Sequence, residues 1–92
     1  MTVVKEFTKD PNAVLDYGFD WSDWLTTGET ISTSTWIVPS GITQDSESES
    51  TELTTIWLSG GTARERYDVT NRIVSSAGRT DDRTLRILVA NR

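Results

Sequence analysis

The chain has no cysteine and no histidine among its 92 residues, and its only lysines are Lys5 and Lys9. Without cysteine there is no disulfide framework and no thiolate nucleophile, and without either residue type a zinc site of the usual kind is excluded. A Ser-His-Asp or Cys-His arrangement is impossible, and no imidazole is present to titrate near neutral pH. The longest apolar run, Ile87 to Ala90, falls far short of the roughly 20 residues that a membrane-spanning helix needs. Basic residues are also scarce: nine Lys and Arg stand against fourteen Asp and Glu, a net charge of −5 that argues against a nucleic-acid partner. The first residues, Met1 to Glu6, lack an apolar segment behind a basic start, so no signal peptide is expected, and synthesis in a cytoplasm is. The one catalytic chemistry left open is a carboxylate pair acting on a glycoside. It needs a cleft that holds one acid dry, for which so small a domain has little spare wall. The composition therefore disfavours an enzyme and calls for no cofactor and no metal.

What is present favours strands. Threonine and serine make up 25 of the 92 residues, and four Trp, two Phe and two Tyr supply large buried areas to a chain that is only 35% apolar. No stretch sustains a helical period. In Arg66–Ile73, positions 67, 69 and 73 are apolar and alternate with polar neighbours; Arg83–Val89 repeats the pattern with Leu85, Ile87 and Val89. The intervening Ser75–Asp82 carries turn residues, so an antiparallel hairpin with a protruding loop is expected. Leu53–Leu58 reads as a strand closed by Ser59-Gly60-Gly61. Glu29–Val38 reads as a longer one ending at Pro39-Ser40-Gly41, its phase ambiguous because Ile31 and Ile37 share one face while Trp36 and Val38 share the other; a bulge or two-sided burial would resolve this. Ile42–Asp45 reads as a short strand and the acidic, apolar-free Ser46–Ser50 as an exposed loop. Val4–Phe7 reads as an edge strand. Phe19 and Trp21 can face the core together, and Ser22–Leu25 reads as a single helical turn capped by Ser22. About seven short strands with regular turns predict an all-β fold, an immunoglobulin-like antiparallel β-sandwich. It forms one domain over residues 1–92, with 1–15 an extended N-terminal arm. Tyr67, two residues before the core position Val69, sits where a tyrosine corner would place it; an ordinary half-buried tyrosine is the equal alternative.

The candidate functional residues follow from surplus. A core this small holds about two indoles well, and exposed Trp is enriched at binding hot spots. Trp36 is expected inside, with Trp24 and Trp57 at a contact surface. The Asp20–Leu25 turn, including Trp21, Asp23 and Trp24, and the loop carrying Arg79, Asp81, Asp82 and Arg83 are the expected protein interface; pairing within the loop is the rival reading. Charge reversal at Arg79 and Arg83 is expected to weaken assembly and spare folding. Asp16, Asp20 and Asp23 lack the spacing of a calcium loop and read as solvated acids, and Ser59–Thr62 reads as a hairpin corner rather than an anion cradle. Residues 1–52 carry a balance of −8 and residues 53–92 one of +3, so opposite faces of opposite sign are one expectation and plain solvated faces the other.

The stretches Asp10-Pro11 through Asp16–Leu25, Gly28–Ile31, Trp36–Gly41, Trp57–Thr62, Tyr67–Ile73 and Ser76–Leu85 together resemble a family of small virion structural proteins of tailed bacteriophages and prophages, described as fibre-tail adaptors. The likeness spans roughly residues 9–89, with Ser46–Glu52 more acidic than the pattern. The resemblance implies a non-enzymatic virion part without catalytic residues, present in symmetric copies. It would join a portal or connector, tail or fibre protein to its neighbours. Capsid decoration on the major capsid protein and a carbohydrate-binding module are the alternatives.

Overall fold

A computed structural model describes residues 3–91, with the backbone alone for Val3; Met1 and Thr2 of the expected arm, and Arg92, lie outside them. Seven strands form: β1 (Val3–Lys9), β2 (Leu15–Asp20), β3 (Ile31–Ile37), β4 (Ile42–Glu49), β5 (Leu53–Gly60), β6 (Arg66–Ser75) and β7 (Thr80–Val89), with no helix among the described residues. They make a four-stranded sheet in the order β1-β7-β6-β3 and a three-stranded sheet in the order β2-β5-β4. The fold is an all-β sandwich. One pair departs from the expected antiparallel pattern: β1 runs parallel to β7, in register from Lys5 opposite Leu85 to Lys9 opposite Val89. No hairpin ties β1 to its own sheet. The chain leaves it through the Asp10–Ala13 turn, where Asp10 Oδ1 accepts from the Asn12 N–H at 2.8 Å, and enters the opposite sheet as β2.

The period of two sorts the side chains. Tyr67, Val69, Asn71, Ile73 and Ser75 of β6 are all buried, as are Leu85, Ile87 and Val89 of β7, Ile56 and Leu58 of β5, and Tyr17 and Phe19 of β2. Full burial of one large aliphatic side chain contributes about 1.5–3 kcal/mol, so this interior is the main stabilising term. The ambiguous phase of β3 is resolved by a register shift between Ile31 and Thr33 against β6. The irregularity lets Ile31 and Trp36 both face inward and leaves Ile37 outside. Trp36 stacks on Phe19 with ring centroids 6.0 Å apart.

At the corner before β6, Gly61 has φ +96°, and a Cβ there would stand 2.7 Å from Val89 Cγ2, so only glycine fits. The Tyr67 hydroxyl accepts from the Thr62 N–H at 2.9 Å, five residues upstream, closing the corner as a tyrosine corner does.

Three local expectations are corrected. The acidic Ser46–Glu49 is strand, not loop: it continues β4, because pairing its backbone with β5 needs no buried side chain, and on β4 only Ile42 is buried. The β6–β7 loop shrinks to residues 76–79, since Thr80–Asp82 pair with Val74, Ile73 and Arg72. In the turn after β2, the Ser22 N–H is taken by Asp20 Oδ1 at 2.9 Å, so Asp20 is the cap, while the Trp21 carbonyl accepts from the Trp24 and Leu25 N–H groups.

Candidate functional site

Five of the eight residues singled out from the sequence come together at one end of the sandwich, where the segment between β2 and β3 meets the start of β7. Trp21 is wholly buried. Its indole N–H donates to Asn71 Oδ1 at 3.0 Å, so it belongs to the core and offers no surface to a partner. Trp24 is partly buried and meets Trp21 edge-on at 5.6 Å. Arg83 lies 4.2 Å over the Trp21 ring, donates to both Asp23 carboxylate oxygens at 3.0 and 3.1 Å, and reaches the Asp20 carbonyl at 3.1 Å. Arg79 lies 4.1 Å over the Trp24 ring, donates to the Trp24 carbonyl at 3.1 Å and binds both oxygens of Glu29. The two arginines thus latch the β2–β3 segment onto β7 from within the molecule. Each neutralises a carboxylate of its own chain, which weighs against the expectation that their reversal spares folding.

Glu29, which the sequence did not single out, is the hub of this latch. It is buried and takes hydrogen bonds from Arg79, from the Ser75 hydroxyl, and from the Thr26 N–H at 3.0 Å. These hold its carboxyl far below the ordinary range, Arg79 contributing most and Ser75 next. Asp20 is lowered too, chiefly by the Ser22 N–H.

The other three singled-out residues lie elsewhere. Asp82 pairs with Arg72 directly across β6–β7 at 2.8 Å on the outer face of the four-stranded sheet, where Asp68 pairs with Arg86 in the same way. Each of these carboxyls is lowered by its arginine, although burial works against it. Asp81 opens β7 near Arg79 and adds to the raising of that guanidinium's pKa. Trp57 stands alone on β5, 41% exposed on the outer face of the three-stranded sheet.

Asn71 and Lys9 were also missed. Asn71 is buried and fully used: its amide donates to Ser34 Oγ at 2.9 Å and the Thr35 carbonyl at 3.2 Å, and its oxygen accepts from Trp21 and, at 2.6 Å, from Thr54. Lys9 is buried with its ammonium donating to the Asp10 and Gly60 carbonyls at 2.9 and 2.7 Å, and burial lowers its pKa. The signal for Asn71 was parity, since it shares the inward phase of Tyr67, Val69 and Ile73.

Charge is layered. The three-stranded sheet carries Asp16, Asp20, Asp45, Glu47 and Glu49 and no cation; the strands of the four-stranded sheet carry six cations against four acids. Asp16, Asp20 and Asp23 do not converge, and no cluster of acids able to hold a metal occurs among the described residues. An open groove of about 390 Å³ lies between Val4 and Lys5 of β1 and the Asp20–Asp23 turn, with Arg83 at its wall.

These features define a small all-β sandwich whose arginines are mostly committed to internal pairs. Residues 9–88 match the family model described as podophage GP4 fiber-tail adaptor protein gp77, and the chain belongs to that family, a phage structural one. The resemblance read from the sequence covers nearly the same span. No curated protein matches the chain.

Proposed function

We propose that the chain is a non-enzymatic structural adaptor of a phage virion that joins the neck or tail end to fibres or neighbouring subunits. The observation that carries this reading is the family match, which runs from the end of β1 to the penultimate residue of β7 and so embraces almost the whole fold. The immunoglobulin-like description belongs to the same proposal. Setting β1 aside, the sheets β2-β5-β4 and β7-β6-β3 partition the strands as constant-type immunoglobulin domains do, and Tyr67 closes the corner expected of them. Its partners are other phage structural proteins, met in symmetric multi-copy assembly; portal, tail and fibre proteins come first. The net charge of −5 speaks against nucleic acid. Residues 3–9 of the expected N-terminal arm pair with β7 as strand β1, and Lys9 at its end is buried.

The test is copy number in purified virions of the phage or prophage that carries the gene, quantified against portal and major capsid protein. About a dozen copies or fewer fits an adaptor on a closed ring. Hundreds of copies would make it a capsid decoration protein, and absence from particles would end the structural reading altogether.

A further inference from the structure

Two of the four indoles sit in the same three-part unit. Arg83 lies 4.2 Å over Trp21 and hydrogen-bonds Asp23; Arg79 lies 4.1 Å over Trp24 and hydrogen-bonds Glu29. In each, one planar guanidinium gives its face to an indole and in-plane N–H groups to a carboxylate, Arg79 through two nitrogens and Arg83 through one, which an ammonium cannot do equally well. Trp36 is buried against Phe19. Trp57 is the remaining indole, exposed, and Asp16 stands directly opposite it on β2. Directly opposed residues hold their Cβ atoms about 4.5–5.5 Å apart, so this indole and carboxylate are spaced to share one guanidinium. The neighbouring outward positions are small: Ser46 faces Trp57 from β4, and Gly18 follows Asp16 on β2. None of β2, β4 or β5 carries an Arg or Lys, and among the described residues no guanidinium of this chain lies over Trp57 or pairs with Asp16, which leaves the place to another molecule.

We propose that Trp57 and Asp16, on the outer face of the three-stranded sheet, form a receptor for an arginine presented by a different protein. Charge complementarity selects this occupant. The strands of this sheet carry five acids and no cation, whereas the arginines a second copy would offer are mostly committed to internal pairs. The proposal rests on the adaptor reading only for where that arginine-bearing protein is found.

The test uses the whole chain, labelled with ¹⁵N, titrated with a capped peptide of alternating Gly and Arg, with its Lys counterpart, and with gluco- and chito-oligosaccharides. The Arg peptide is expected to shift the Trp57 indole N–H and the Asp16 amide and to bind at least about threefold tighter than the Lys peptide. Trp57→Ala and Asp16→Asn are each expected to lose about three- to fivefold in affinity, the range of an exposed cation–π contact. Unchanged β6–β7 amide shifts establish that both variants stay folded. Equal Arg and Lys affinity indifferent to Trp57→Ala, a saturable indole shift with an oligosaccharide, or self-association seated on Trp57 would each overturn the proposal. In the phage, Asp16→Arg is expected to cut incorporation into particles at least about tenfold through like-charge repulsion. Normal incorporation of Asp16→Arg defeats this inference and leaves the adaptor reading standing, whereas absence of the wild-type chain from particles defeats that reading alone.

Discussion

Replacing Asn71 by leucine tests what fixes the core. Leucine keeps the branching of asparagine at Cγ, but its methyl groups are bulkier than the amide oxygen and nitrogen, so at this fully buried position some overpacking adds to the cost. The polar loss is not small. Asn71 joins β6 to β3 through Ser34 and Thr35, to β5 through Thr54, and to the turn after β2 through Trp21. In Asn71→Leu the Trp21 indole N–H and the Thr54 hydroxyl are left with only each other, at 3.4 Å. A buried polar group left without a partner costs about 1–3 kcal/mol, so two half-compensated groups should cost about 3 kcal/mol. A domain of this length has roughly 5–14 kcal/mol to lose. The same change should lower Tm by about 12–24 °C. Urea unfolding followed by indole emission, with far-ultraviolet circular dichroism as a second probe, measures it. The cycle with Thr54→Val isolates the pair: the double variant should cost at least about 1 kcal/mol less than the two single changes combined. Trp36→Phe is the control, because the Trp36 indole N–H meets no acceptor among the described residues. A cost below about 0.5 kcal/mol for Asn71→Leu, or strict additivity, would refute the claim that this network helps to fix the core.

Acid should destabilise the domain in a defined sense. The Glu29, Asp68 and Asp82 carboxyls are held below their unfolded values. Their contribution is thus complete above the ordinary carboxylate pKa of about 4 and fades as pH falls below it. Thermal melts from pH 7 to pH 2 should show a fall that is shallower in Glu29→Gln, which also melts lower at pH 7; a parallel pair of curves would contradict the assignment. Gly61→Ala should cost more than about 1 kcal/mol, because it combines a positive φ with a collision on Val89; denaturant titration reads it directly. Arg79→Glu sets a second carboxylate against Glu29 and should speed hydrogen exchange at Thr26 and Leu25 and lower Tm, so a monomer as stable as wild type would show that the latch carries no load.

The sequence made some of this legible and hid the rest for physical reasons. Alternation in β6 and β7 is strong because one face is packed and the other wet, and the Gly60-Gly61 corner is plain because only glycine takes its backbone angles. The reach of β4 was hidden because strand membership there depends on the backbone of β5, with seven of its eight side chains exposed. Asp81 and Asp82 looked like loop because a polar pair reads as a turn, yet Asp82 is opposite Arg72 and the pair stabilises the strand it seemed to end. Glu29 and Arg79 are fifty residues apart, and Trp21 and Asn71 likewise; no local pattern announces a bond across that distance. Asn71 alone could have been found, since an asparagine on the inward phase of a strand needs buried partners.

The layering of charge follows from the topology more than from the halves of the chain. Strands β2, β4 and β5 carry five acids and are gathered into one sheet, while the arginines of β6 and β7 fall in the other, where cross-strand pairs neutralise Arg72 and Arg86. The acids of the first sheet have no cation on their own strands, and on β4 they line an edge whose backbone would otherwise invite another strand. Inward- and outward-pointing charges on an edge are a guard against self-pairing. That guard has a cost for assembly: whatever contacts this face must bring cations or pay repulsion. Association through it should therefore weaken as salt is raised, over the range in which the screening length falls below about 10 Å. Contacts made through the neutralised outer face of β6 and β7 should change little. Measuring incorporation or binding at several ionic strengths consequently tells which sheet faces the partner, and a salt-independent interaction would place it on the four-stranded side.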